Sequence, residues 1–399
     1  MNAILNNIIY KLISCFLSVA MLFGYSGDCL KEDASQWNTN YKYVFVHGLS
    51  GWGSYDAVYK VMPYWGMFGG DLMKYLGDKG FDCYAASVAP TGSAWDRACE
   101  LYAQLTGTVV DYGKAHSEKY NHERFGTDYT GKALIDSFNE KDKINLLGHS
   151  FGGATVRLFA SIMEKGAQEE IAVTPENELS DFFKGGKGDW IYSITTLAAP
   201  HNGTTAYMVD KNDMPEDKID PTGLTNKIQY ALSDLIKVAT GGNDDGRSEE
   251  DFASFDMYID NALAMNTEIL TLENAYYFSF ACTATKQNSD GTYSPISGKM
   301  ESLFVAASKA MGAYTGVTKG GYVVDESWWE NDGLVNTNSA FAPSDAPSVQ
   351  YNAENVDKGI WNIMPIYNGD HMSLQGGLLK TNEVKAFYVE HLSMINSLY

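Results

Sequence analysis

Hydrophobic positions recur along this chain in two rhythms. Short dense runs rich in β-branched and aromatic residues, at 41–46, 81–88, 143–147, 190–197 and 275–281, predict buried strands. Between and after them the spacing changes to a helical one, over 95–105, from Gly152 through Phe159, over 224–239 and from Asn382 to Leu398. In the third of these, Leu224, Ile228, Ala231, Leu232, Leu235 and Val238 share one face. Such a helix is either an ordinary surface helix on the core or a segment that swings over a site; pattern alone favours the former. Strands that alternate with helices predict an α/β chain whose mostly parallel sheet is covered on both faces.

The N-terminal stretch is different in kind. Lys11 precedes an apolar run over 12–24, too short to span a bilayer comfortably and suited to a secretory signal, with Ser26 and Gly27 as small residues for cleavage. Residues 1–29 are therefore expected to be a signal peptide and the protein to be secreted and extracellular; the alternative is an uncleaved anchor. Cys29 invites a lipid attachment, but Asp28 stands where a small residue is needed. No Pro- or Ser-rich linker, repeat or low-complexity tract divides the remainder, so 38–399 is expected to form a single domain. The net charge of −21 argues against a nucleic-acid partner and against anionic membrane surfaces held by charge. The 5 cysteines include no C-x-x-C pair and imply no disulfide framework; Cys83 and Cys99 read as buried thiols.

The chemistry centres on 143–153. There an apolar strand runs into Gly148-His149-Ser150-Phe151-Gly152 and then into a helix, the strand–turn–helix context of a G-x-S-x-G nucleophile elbow. The bland alternative is a glycine-rich turn with a solvated serine. A serine nucleophile needs a base, and the base an acid to fix its tautomer. In the chain order Ser, acid, His, only His201, His371 and His391 follow Ser150. His371, in a Gly-Asp-His loop, is the expected base and Asp332, in Asn-Asp-Gly, the expected acid; Asp370 competes but adjoins the base too closely to reach its ring. His391 reads as structural. After the first strand comes His47-Gly48-Leu49, where an α/β-hydrolase places its first oxyanion donor. The donors expected are the backbone N–H groups of Leu49 and Phe151, with His47 bracing the loop. These parts together suit hydrolysis of a carboxylic ester through a serine acyl-enzyme.

Several blocks in order carry a resemblance: His47-Gly48-Leu49-Ser50-Gly51-Trp52-Gly53, Trp95-Asp96-Arg97-Ala98-Cys99-Glu100, Asp111-Tyr112-Gly113, Pro200-His201-Asn202-Gly203-Thr204-Thr205 and Glu330-Asn331-Asp332-Gly333. Over about 41–391 the chain resembles the thermoalkalophilic bacterial lipases, secreted triacylglycerol lipases with a zinc-binding insertion. The resemblance implies an α/β-hydrolase fold with that insertion at about 92–128 and a helical lid at about 206–250. It implies Ser150, Asp332 and His371 as the triad, and Asp96, His116, His122 and Asp251 as ligands of a structural Zn²⁺. His116 and His122 alone, five residues apart, would be a weak signal, but two imidazoles and two carboxylates suit a closed tetrahedral site. The family's calcium site calls for carboxylates where this chain has Ser373 and Leu378-Leu379, so no Ca²⁺ is predicted. Phe151 stands where the family commonly has Gln and is expected to make the acyl pocket more apolar. The partner implied is a lipid or other ester, met at a lipid–water interface, without stable membrane insertion once the signal is removed. A short-chain carboxylesterase and a non-catalytic binding protein on the same fold are the alternatives.

Overall fold

The computed structural model describes residues 34–209, 246–377 and 383–399. The expected signal (1–29) and the helix over 224–239 lie outside the described residues.

Seven strands form the central sheet: β1 (Lys42–Val46), β2 (Cys83–Ala86), β3 (Ile144–His149), β4 (Ile191–Leu197), β5 (Tyr276–Phe280), β6 (Ser348–Gln350) and β7 (Trp361–Ile363). Their order is β6-β7-β5-β4-β3-β1-β2, and every pairing is parallel. The order reverses beside β1, and β3 lies on the other side of β1 from β2, in the interior of the sheet. Parallel strands need crossovers, and these put helices on both faces.

The strand alternation sorts side chains between those faces. Val44, Val46, Leu146 and Ile194 point to one side. There they meet Leu101 and Leu105 of α2 (Ala94–Thr106) and Val156 and Phe159 of α4 (Gly152–Lys165). Tyr43, Phe45, Leu147 and Phe278 point to the other, against Leu76 of α1 (Leu72–Lys79) and Tyr388 and Leu392 of α5 (Glu383–Ser397). Because both faces are covered, β3 and β4 are buried at every position, and polar side chains within them are paired inside the sheet, Ser193 Oγ donating to Asn145 Oδ1 at 2.7 Å. The sequence pattern did not single out β6 and β7 as strands. Each is three residues long, too short for a periodicity to register.

Between β2 and β3 the chain leaves the sheet. It forms α2, then Val109–Asp111 and Phe125–Asp128 paired antiparallel, with α3 (Lys114–Tyr120) between them. Cys99 is buried as expected, whereas Cys83, near the sheet edge, is only partly so. No helix among the described residues is long and apolar enough to cross a membrane.

Candidate active site

Ser150 follows β3 directly and sits at φ 54°, a left-handed conformation that a side chain rarely adopts. The turn is held by the Ser150 amide, which donates to the Leu197 carbonyl at 2.8 Å. Both flanking glycines are sterically required. A Cβ on Gly148 would lie 2.4 Å from the Gly152 carbonyl oxygen, and one on Gly152 would lie 2.3 Å from that of Val46. The elbow is thus packed so closely on β1 and on the start of α4 that only hydrogen fits.

Ser150 Oγ lies 2.8 Å from His371 Nε2, and His371 Nδ1 lies 2.9 Å from Asp332 Oδ2. All three side chains are buried. Asp332 occupies a tight turn in which its other oxygen, Oδ1, accepts the amides of Leu334 at 3.0 Å and Val335 at 2.8 Å. That turn leaves Oδ2 directed at the imidazole, while the His371 amide donates to the Asp332 carbonyl at 2.9 Å. With Nδ1–H given to a carboxylate, Nε2 is the nitrogen that can accept from the serine hydroxyl. Asp370 faces elsewhere. Its oxygens take the Glu301 amide and the Ser373 hydroxyl, each at 2.8 Å.

The loop after β1 passes close to the serine: a Cβ on Gly48 would stand 2.7 Å from Ser150 Cβ. Among the described residues no backbone carbonyl takes the amide of Leu49 or Phe151. His47 is fully buried, with Nδ1 on the Gly48 carbonyl at 2.8 Å, and burial lowers its pKa to about 3. The Phe151 ring is buried, with the Arg97 guanidinium 5.2 Å from its centre.

Arg97 is a residue the sequence reading passed over. It is fully buried on α2, and burial lowers its pKa to about 10. Its Nε donates to Thr155 Oγ1 at 2.9 Å, its Nη1 to the Ala89 carbonyl at 3.0 Å, and its Nη2 to the His47 carbonyl. One guanidinium therefore ties α4, the loop after β2 and the loop carrying Leu49. The available signal was an arginine on the apolar face of α2, between Ala94 and Leu101.

One residue earlier on α2, Asp96 belongs to a second constellation. It gathers with His116, His122 and Asp251, whose ligand atoms all lie within 4.8 Å of one another. His116 Nε2 is 3.2 Å from Asp96 Oδ1 and 3.1 Å from Asp251 Oδ1; His122 Nε2 is 3.3 Å from Asp251 Oδ2 and 4.0 Å from Asp96 Oδ1. Tetrahedral ligands about 2.0–2.1 Å from a common centre stand roughly 3.3 Å apart, close to most of these separations. The donor chemistry agrees. His122 Nδ1 must donate to the Glu123 carbonyl, 2.9 Å away, so in the neutral ring Nε2 presents a lone pair to the carboxylates. His122 Nε2, Asp96 Oδ1 and Asp251 Oδ2 are buried without a hydrogen-bond partner among the described residues. Lone pairs turned on one another in this way fit a bound cation. Around them, Trp95 stacks on His116 with ring centres 5.1 Å apart, and Glu170 accepts the amides of Ala115 and His116. Arg247 Nη1 meets Asp96 Oδ2 at 2.7 Å.

Comparison with known proteins places these features in context. The chain is 30% identical over 378 residues to Lipase 2 of Staphylococcus aureus, covering 87% of this chain and 52% of that protein. It thus spans about half the length of the curated relatives it matches. Among solved structures it is similar to EstA from Clostridium botulinum (TM-score 0.79, 31% identity, 91% of this chain and 88% of that one). It is also similar to Staphylococcus hyicus lipase (TM-score 0.74, 28% identity, 92% and 98%). Residues 39–246, just over half of the chain, match the lipase-like C-terminal domain, and the chain belongs to that family.

Proposed function

We propose that this chain is a secreted serine hydrolase of carboxylic esters, a triacylglycerol lipase that works through an acyl-enzyme on Ser150. The observation that carries the proposal is the unbroken line from Ser150 Oγ to His371 Nε2 at 2.8 Å and from His371 Nδ1 to Asp332 Oδ2 at 2.9 Å. Its similarity to proteins named lipases supports the substrate class.

The steps follow from the residues in place. Ser150 Oγ attacks the ester carbonyl while His371 Nε2 takes its proton, and Asp332 stabilises the imidazolium that results. The Leu49 and Phe151 amides receive the oxygen that becomes negative. Collapse expels the alcohol, protonated by His371. Water, deprotonated by the same ring, then attacks the acyl-enzyme and releases the acid.

Asp96, His116, His122 and Asp251 would hold a structural Zn²⁺, whose contribution is to join α2 and α3 to the segment of Asp251 rather than to act on the ester. No Ca²⁺ is proposed, because Ser373 and Leu378-Leu379 offer no carboxylate where such a site would need one. Under this proposal residues 1–29 are a signal peptide, 38–399 one domain of α/β-hydrolase type, 92–128 the metal-binding insertion and 206–250 a lid over the site.

The test is hydrolysis of emulsified long-chain triacylglycerol and of soluble short-chain esters by the mature chain beside Ser150→Ala, with zinc measured on the same sample. Long-chain hydrolysis lost in the variant is the expected result. Activity confined to short esters would replace the lipase with a carboxylesterase.

A further inference from the structure

Tyr64 lies in the loop between β1 and α1, buried against Trp52 and Trp65 and facing the rings of His47 and His149. Its hydroxyl oxygen is 3.1 Å from the Gly48 amide and 2.7 Å from His149 Nδ1. The opposite nitrogen of that imidazole, Nε2, is 2.8 Å from the carbonyl oxygen of His371.

The directions of these bonds are forced. A carbonyl only accepts, so His149 Nε2 carries the hydrogen. In a neutral imidazole Nδ1 is then an acceptor, so the Tyr64 hydroxyl donates to it. That leaves a lone pair on the Tyr64 oxygen for the Gly48 N–H. Burial lowers the His149 pKa to about 3, with the nearby His371 adding to the effect, so the ring stays neutral at any pH where the enzyme would work. The chain of bonds begins one residue before Leu49, passes through the residue before Ser150, and ends on the backbone of His371. Neither Tyr64 nor His149 has a place in the bond-making steps.

We propose that Tyr64 is a positioning residue that works through His149. It holds the His371 backbone on one side and the Gly48–Leu49 loop on the other in register with Ser150. The proposal rests on the reading of Ser150, His371 and Asp332 as the triad. The three bonds explain why a buried hydroxyl sits here in an otherwise aromatic cluster. A phenylalanine would fill the same space but leave the Gly48 amide and His149 Nδ1 without partners.

The experiment compares wild type, Tyr64→Phe, His149→Ala, His149→Gln and the Tyr64→Phe/His149→Ala pair. Each is measured on p-nitrophenyl butyrate with active sites counted by a covalent phosphonate. Affinity for a boronic acid, which needs the oxyanion donors and the base together, is read on the same samples. Tyr64→Phe is expected to lower kcat about tenfold, the worth of one well-made hydrogen bond. KM should stay constant and boronate affinity should weaken by a similar factor. The double variant should lose no more than the worse single one, since both break one chain. Glutamine at 149, able to donate and accept, should recover part of what alanine loses. Should Tyr64→Phe not fold, the difference between His149→Gln and His149→Ala carries the test.

Unchanged kcat per active site and unchanged boronate affinity in Tyr64→Phe, with only a lower melting temperature, would make the hydroxyl merely structural and overturn the proposal. Independent, multiplying losses in the double variant would do the same. A different failure is wild type without ester hydrolysis, or Ser150→Ala that retains it: either removes the triad reading itself and the proposal with it.

Discussion

Asp96 and Arg97 are neighbours in the chain that serve different centres: Asp96 Oδ1 lies 3.2 Å from His116 Nε2 in the metal-type cluster, while Arg97 Nη2 donates to the His47 carbonyl beside the nucleophile. Ser93 caps the N-terminus of α2, accepting the Asp96 amide at 3.2 Å, so both side chains leave the first turn of one well-fixed helix. The cluster and the loop that presents Leu49 are thus anchored to the same turn.

Replacing Arg97 by methionine should therefore disturb the loop as well as the core. The substitution leaves the His47 and Ala89 carbonyls and Thr155 Oγ1 without their buried donor. The expected loss of stability is about 2–4 kcal/mol, read as a lower denaturant midpoint. The variant that still folds should show reduced kcat on a soluble ester. Unchanged midpoint and kcat together would mean that the guanidinium ties nothing.

Glycine at the elbow admits no substitute. Gly152→Ala would drive its Cβ against the Val46 carbonyl, and Gly148→Ala against the start of α4. Neither contact can be relieved by a side-chain rotation, because backbone is met in both cases. Soluble, folded Gly152→Ala with normal hydrolysis would contradict the geometry of the turn; aggregation or a folded but inactive chain is the expected outcome.

Removing the proposed zinc should act on stability first. A chelator leaves two carboxylates and two imidazoles buried against each other, so the melting temperature should fall by several degrees, the scale on which a few kcal/mol register in a chain of this size. Added zinc should restore it. Asp251→Asn should lower zinc content and abolish that response. Activity measured well below the lowered melting temperature should change little.

Four histidines outside both centres predict an acid limit. Burial lowers the pKa values of His47, His149 and His391 to about 3 and that of His201 well below its ordinary value. In the unfolded chain they would titrate near 6.5, so between that pH and about 3 the unfolded state binds more protons and folding weakens as pH falls. The stabilisation is complete above about pH 6.5 and is lost below it, by up to about 1.4 kcal/mol per histidine for each pH unit. Denaturant midpoints at pH 8 and pH 5 measure this. His391→Gln should make the decline shallower if Thr195 Oγ1, 2.8 Å from the ring, accepts the new donor.

The parts legible in the sequence are those set by local sterics or by chain order. The elbow is one: five consecutive residues whose glycines are dictated by contacts within the turn and with β1. The Ser150, Asp332 and His371 order is another, since few histidines follow the serine. Strands β1 to β5 are legible because each is a short run dominated by β-branched, aromatic and other apolar residues, most of them buried. Arg97 and Tyr64 did not, because their meaning lies in partners distant in the chain, such as Thr155 and His149, that only the folded sheet brings near. The metal-type cluster is intermediate. Its two histidines are close in sequence, but Asp96 and Asp251 come from far apart, and a resemblance to known lipases rather than spacing singled them out.

Labelling with a fluorophosphonate, with the modified residue mapped by mass spectrometry and triacylglycerol hydrolysis followed on the same sample, tests the central claim most directly. The account predicts stoichiometric modification at Ser150, hydrolysis lost in step with it, and neither labelling nor hydrolysis in folded Ser150→Ala. Hydrolysis that survives complete modification of Ser150, or persists in Ser150→Ala, would contradict it.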